Sequence, residues 1–397
     1  MYLDTFPVDI NDMFRGLSTT KHTERKRKKR QAGGLTGSEI PAIHKVFSSR
    51  STQYGISSLR LQGNEINKTL IRYAEIDIGK EKTKKDIEYL LQGSSGGGRN
   101  RSSYDNHRRE VEFWSSTRGI HVSLRSPNPY KQLLEFRRIL RGWFRNKMFE
   151  SDDVMRGLVS QAKRPVDKHY GFENFDRKYD SCAVVGNSGI LLKTEYGDMM
   201  DNHEFVVRLK NARTRGYENY VGSKTSISFI NSNLLHLCST RETCSCHPYG
   251  EMVPIVMYIC QAIHLMDYIV CNSTHKAPLL TTNARFDVLC SRIAKYYSLK
   301  LFTEKTRKSP QEWAPSHDGS LFHYSSGMQA VMLALGICDK VSIFGFGKSV
   351  TAKHHYHTNQ TSELPLHDYE AEYAFYRDLV ENPEVIPFLV NKFKVPR

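Results

Sequence analysis

Three groups of polar residues in this chain have the chemistry to hold a phosphate and move a proton. The first is Gly186-Asn187-Ser188-Gly189, a tight loop offering backbone N–H groups, one amide and one hydroxyl. Such groups suit a ribose or a phosphate, although a plain turn has the same composition and a short Gly-x-x-Gly signal is weak alone. The second is Ser325-Ser326-Gly327, preceded by His323-Tyr324. Hydroxyls at a helix start sit where an anion meets free N–H groups and the positive end of the dipole, and ordinary N-capping would use the same serines. The third is a run of histidines, His354-His355-Tyr356-His357, followed by His367 with Glu372 five positions on. Histidine changes charge near neutral pH, so it can take a proton from a hydroxyl. A lone histidine is commonly a surface or capping residue, and the weight falls on these groups occurring together.

The elements that must position them are written in the apolar spacing. Cys182 to Val185 reads as a buried strand running into the Gly186 loop, the place where open α/β sheets bind nucleotides. Met328, Val331, Met332 and Leu335 recur at helical spacing behind Ser325 and Ser326. Val341 to Phe346 reads as a second buried strand, ending in Gly345-Phe346-Gly347. Tyr130 to Met148 predicts an amphipathic helix with Leu133, Leu134, Phe136, Ile139, Leu140, Trp143 and Phe144 on its apolar face. Val253 to Cys260, which includes Pro254, reads as a core strand, and residues 232–310 as further strands and acceptor-side loops. The fold class is α/β: one domain, a mostly parallel twisted sheet flanked by helices.

In order and spacing, these segments resemble the sialylmotifs of the eukaryotic sialyltransferases, glycosyltransferase family 29. The large motif is similar to Cys182–Ile230 and the small motif to Pro315–Gly347. The third motif is similar to His355-Tyr356, and the very small one to His367 with Glu372. The resemblance spans roughly residues 126–397, is nearest to the plant sialyltransferase-like branch, and implies the GT-A-like variant of the fold. It also implies inverting transfer of sialic acid, or a related Kdo-like acidic sugar, from a CMP donor to a glycan hydroxyl. The acceptor would be a glycoprotein, glycolipid or cell-wall polysaccharide. His367 is then the base, and His355 a cationic imidazole against the donor phosphate. Asn187, Ser188, Lys210, Asn211, Ser325, Ser326, Gly327, Gly345 and Gly347 would hold the donor, the last two by letting backbone approach the ribose. Glu372 would be structural, orienting the loop of the base. Cys182 would pair with Cys338 in an oxidising lumen. No cofactor and no metal are implied, the CMP-sugar being a substrate.

The sequence departs from the family pattern in places. Where the family carries Arg-x-Asn, this chain reads Arg208-Leu209-Lys210-Asn211, which puts a point charge where an oriented amide is expected. Ser326 stands for threonine, and Tyr220-Val221-Gly222 for Asp-Val-Gly. A member that keeps the fold and only binds nucleotide or glycan is the alternative reading.

Composition frames the rest. The chain has 397 residues, 39% of them hydrophobic, enough for a substantial core. Nearly all of the +15 net charge lies before residue 150, with RKRKKR at Arg25–Arg30 and a Gly/Ser-rich stretch at 91–100. Residues 1–125 read as a basic, flexible, stem-like arm and 126–397 as the catalytic domain. A nucleic-acid protein would place base on its folded surface, so no nucleic-acid partner is expected. All eight cysteines lie between Cys182 and Cys338. Cys244-Ser245-Cys246-His247 lacks the spacing of a standard zinc site and reads as disulfide or free thiol. Sequons at Asn67, Asn100, Asn272 and Asn359 would be used only in the secretory pathway. The family implies Golgi lumen or membrane. With no apolar run near twenty residues and no signal peptide behind Met1, the expectation is a shortened form of a Golgi protein.

Overall fold

The computed structural model describes residues 47–48, 67–78, 80–92, 129–148, 154–235, 247–265, 268–269, 276–317, 322–360, 363–364 and 367–389. Seven strands, β1 (Phe47–Ser48), β2 (Cys182–Val185), β3 (Phe205–Leu209), β4 (Ile227–Asn231), β5 (Ile255–Tyr258), β6 (Leu279–Thr281) and β7 (Lys340–Phe344), form one sheet in the order β1-β7-β2-β3-β4-β5-β6. Strands β2 to β7 are parallel, and β1 closes one edge antiparallel to β7. Every residue of β2, β3 and β5 is buried, as expected of short apolar runs with both faces covered by helices. The order grows from β2 through β3 to β6 in one direction and sets β7 on the other side. That leaves a topological switch point between β2 and β7, where open α/β sheets place ligands.

The helices of eight residues or more among the described residues are α1 (Lys68–Glu75), α2 (Lys80–Gln92), α3 (Pro129–Met148), α4 (Ala284–Thr306), α5 (Ser326–Ile337) and α6 (Tyr369–Glu381). Helix α5 is apolar all round and almost wholly buried against β2, β3, β4 and β7, the expected fate of a helix with no polar face. Helix α4 starts on the Asn283 cap, whose side chain accepts the Arg285 N–H, and packs against α1, α3 and α6. Region 232–310 therefore supplies, besides β5 and β6, a 23-residue helix that the sequence reading did not separate from loops. Cys182 at the start of β2 is disulfide-bonded to Cys338 just before β7, with 6.0 Å between their Cα atoms.

Part of the expected arm is folded. Leu70 and Ala74 of α1 are buried in the main core, and the Asn67 N–H donates to the Tyr296 hydroxyl of α4 at 3.3 Å. The Lys295 ammonium donates to the Ile76 carbonyl. Ile87 of α2 is buried in a second core with Phe136 and Leu140 of α3. Residues 67–92 thus belong to the globular unit, because an i, i+4 apolar pair inside a polar stretch is enough to dock one helix face. Ile139 and Trp143 of α3 pack beside them, while the side chains of Leu133, Leu134 and Phe144 lie outside the described residues. No helix among the described residues is long and apolar enough to cross a membrane.

Candidate active site

At the switch point, β2 and β7 each end in a glycine, and the two backbones touch. The Gly186 N–H donates to the Phe344 carbonyl at 2.8 Å, and a Cβ at Gly186 would fall 2.6 Å from the Gly345 oxygen. Gly345 has φ +72, and a Cβ there would meet the Leu191 side chain at 2.7 Å. Its glycine character is therefore set by the turn and by Leu191, a packing reason where the ribose was expected. Gly347 is buried beside it. The Gly189 N–H donates to the Lys353 carbonyl at 2.9 Å, and the Tyr356 N–H to the Asn187 carbonyl at 2.9 Å. The loop after β2 is thus sewn to the histidine segment. Asn187 is 8% exposed, yet its side-chain oxygen has no hydrogen-bond partner among the described residues. Ser188 turns its hydroxyl inward, accepting the Ile190 N–H at 3.4 Å.

Lys210, one residue past β3, has the left-handed φ of 55. Its N–H donates to the Phe229 carbonyl at 2.8 Å, and its own carbonyl accepts the Ser228 hydroxyl at 2.9 Å. These bonds hold the kink, and Asn211 is left exposed beyond it. The Lys210 ammonium makes no hydrogen bond or ion pair among the described residues, and burial lowers its pKa. Its charge acts on His354, His355, His357 and His367, all four of which are held below the usual histidine range. For His355 burial is the main cause, then Lys210, His354 and His357, and the pKa falls to about 3. The expected cationic imidazole is therefore neutral in this structure. The positive charge acting on this corner comes from Lys210 and, at His357, from Arg213 as well.

His367 lies just before α6. A backbone carbonyl can only accept, so the 2.7 Å contact between His367 Nδ1 and the His323 carbonyl fixes the ring proton on Nδ1. Nε2 is left as the basic nitrogen. Burial lowers this pKa to about 4, opposed by the bond to His323 and reinforced by the His323 ring, Lys210 and His354. The next residue, Asp368, caps α6 by accepting the Ala371 N–H at 3.1 Å, and also accepts the Ser298 hydroxyl at 2.6 Å. Further along α6, the buried Glu372 accepts the Ser325 N–H at 2.6 Å and the Ser325 hydroxyl at 2.5 Å. Burial raises the Glu372 pKa to about 7. Ser325 also caps α5 through the Met328 N–H, so it serves the fold first. The Ser326 hydroxyl accepts the Asn231 amide at 3.3 Å from the end of β4, and Gly327 sits under the Phe346 ring.

Residues 127–383 match the model of glycosyltransferase family 29 (sialyltransferase). The chain belongs to this family. It is 50% identical over 360 residues to a beta-1,6-galactosyltransferase of Arabidopsis thaliana, covering 88% of this chain and 90% of that protein. It is 47% identical over 344 residues to sialyltransferase-like protein 1 of Oryza sativa subsp. indica, covering 82% and 84%. A crystallised mammalian sialyltransferase in complex with Gal-beta-1-3GalNAc-ortho-nitrophenol, 20% identical, aligns over 65% of this chain and 86% of that one with a TM-score of 0.34.

In this family-29 glycosyltransferase the C-terminal ends of β2, β3, β4 and β7 carry Asn187, Lys210, Asn231 and Gly345 to the same end of the sheet. His355 and His367 join Lys210 there through its field, and Glu372 ties α6 to the start of α5. Asn211 does not join. Asn231, His323 and Tyr369, whose hydroxyl lies 3.4 Å from His354 Nε2, were not singled out as site residues from sequence. An asparagine ending a buried strand is the one signal that could have found Asn231. Asn67 caps α1 and Asn359 is exposed in a turn, while Asn100, Asn272, Cys244 and Cys246 lie outside the described residues.

Proposed function

We propose that this glycosyltransferase moves a sugar from a nucleotide-sugar donor, bound at the β2/β7 switch point, to a glycan hydroxyl with inversion. His367 Nε2 takes the acceptor's proton as the new C–O bond forms at the anomeric carbon. The bond to the donor phosphate breaks with its electron pair, and the Lys210 ammonium meets the charge that develops on the leaving oxygen. His355, neutral before binding, donates a ring N–H to the same phosphate. The observation that carries this reading is the His367 imidazole, held neutral with Nδ1 committed to the His323 carbonyl.

The donor read from the family is CMP-linked: sialic acid or a Kdo-like acid, used as a substrate with no cofactor. A second reading, a galactosyl donor, is favoured by the Arabidopsis thaliana relative named as a beta-1,6-galactosyltransferase. The acceptor is a glycan of glycoprotein, glycolipid or cell wall, and the Cys182–Cys338 bond supports an oxidising compartment such as the Golgi lumen.

The test is transfer from CMP-Neu5Ac, CMP-Kdo and UDP-galactose in parallel to galactose-ended and pectic acceptors, with His367→Ala as control. Product from one donor, cut by about 10²–10⁴-fold in the variant, establishes the reaction and names the donor. Nucleotide binding without product from any donor would favour the binding-protein reading.

A further inference from the structure

Strand β5 sends its side chains alternately to the two faces of the sheet. Ile255 and Met257 join the core around α3, and Val256 and Tyr258 the core around α4 and α5. Tyr258, the last residue of β5, is 2% exposed and stands opposite Asn231, the last residue of β4, in the parallel register. Its hydroxyl is hydrogen-bonded to the side chains of Ser326 and Cys260, and Ser326 in turn accepts the Asn231 amide at 3.3 Å. Ser326 opens α5, so the phenol is tethered both to that helix and to the end of its own strand. The ring so tethered lies 5.5 Å from that of His323 and 5.8 Å from that of Tyr324, inside the roughly 4.5–7 Å range of paired aromatics.

His323 is the residue whose carbonyl takes the Nδ1 proton of His367. Its own Nδ1 donates to the Tyr324 carbonyl at 2.8 Å, and its ring meets that of His367 edge-on at 6.2 Å. Residues 322–325 belong to no strand or helix, so side-chain contacts must place their backbone, and Tyr258 supplies one from the sheet. We infer that Tyr258 is a positioning residue for the base: its ring holds His323 so that the His323 carbonyl keeps the His367 proton on Nδ1 and leaves Nε2 free to accept. This deepens the transferase reading above and rests on it only for what Nε2 does. A neutral imidazole carries one proton, and the partner of one nitrogen decides which nitrogen holds it. Without an acceptor at Nδ1 the proton can move to Nε2, and the nitrogen read as the base then has no lone pair to offer. Tyr258 itself is buried too deeply to meet a substrate, so it acts through His323 alone. The ring does the holding and the hydroxyl steadies the ring.

The full chain, isotope-labelled at the histidine nitrogens, would be observed by NMR near neutral pH, where His367 with its pKa of about 4 is uncharged. His367→Ala identifies the His367 signals by their loss. In the unaltered chain Nδ1 has the chemical shift of a protonated nitrogen and Nε2 that of a bare one. Tyr258→Phe keeps the ring and keeps this pattern. Tyr258→Leu moves the proton onto Nε2 in a large share of molecules and lowers kcat by about 10²-fold, with donor and acceptor KM little changed. His323→Ala, at a half-buried position, removes the other half of the ring contact but not the carbonyl. It shifts the proton in the same way, whether or not Tyr258→Leu folds. A His367 that keeps Nδ1–H in Tyr258→Leu and His323→Ala overturns the inference even if kcat falls, since lost packing alone lowers activity without moving a proton. Equal effects of Tyr258→Phe and Tyr258→Leu overturn it too, because the hydroxyl and not the ring would then be acting. If no donor gives product while the proton still follows the ring of Tyr258, the transferase reading falls and the positioning role stands.

Discussion

Lys210 combines a backbone conformation that lysine disfavours with a charge that acts on four imidazoles. A left-handed L-residue costs roughly 1–2 kcal/mol, and asparagine tolerates that region far better. Lys210→Asn should therefore raise unfolding free energy by about 1 kcal/mol in urea titration while raising donor KM about tenfold. Stability and affinity moving in opposite directions would mark a residue kept for its charge; a fall in both would sink that idea. The sequence showed the lysine as a departure but not the kink, because a φ angle is set by the Phe229 and Ser228 bonds across the sheet. His367 was legible as the candidate base from its motif. Its pKa of about 4 was not, since burial by distant segments sets it. Protonation removes the base, so the acid limb of kcat/KM due to His367 should lie near pH 4, below the ordinary histidine value of 6.5. A limb near 6.5 would mean that Nε2 is not shielded as described. The sign for stability is the same: a depressed pKa contributes stability present above 6.5 and lost as pH falls through about 4.

Helices α5 and α6 approach the site from different parts of the chain, and Glu372 is what joins their ends. Its two oxygens take the N–H and hydroxyl of Ser325, so His367 just before α6 is held against the cap of α5. Helix α5 could be placed from sequence by its apolar spacing, whereas α6 was not read as a helix. Their contact could not be placed either, because a Glu four residues past a cap looks like any solvated helix face. With its pKa raised to about 7, this carboxyl contributes stability that is full below its ordinary value of 4.5 and lost as pH rises through about 7. Its sign is thus opposite to that of His367. Glu372→Gln, which cannot ionise, should flatten the decline of Tm between about pH 4.5 and 7. At low pH, where the carboxyl is already protonated and the amide is its near-isostere, the variant should change stability little. An unchanged pH slope in the variant would show that the titration belongs elsewhere.

For the molecule as a whole, strands β2, β5 and β7 and the helix after Ser325 were readable because parallel strands and buried helices leave continuous apolar runs, while the strand order that makes the switch point was not. The role of residues 67–92 was not readable, because charged side chains of both signs dominate any composition window there, and among the described residues only Leu70, Ala74 and Ile87 are buried. Yet α1 covers α4, and α4 forms one wall of a cavity beside His367, so the front of the chain reaches the site through a single helix. Leu70→Ala should cost about 2–5 kcal/mol, the range for a buried leucine. A chain starting at residue 126 loses the whole of α1 and α2, strips the cover from α4 and Phe136, and should unfold at lower urea than Leu70→Ala. Equal urea midpoints for the truncated and full chains would mean that residues 67–92 rest on the domain without supporting it, as a stem would.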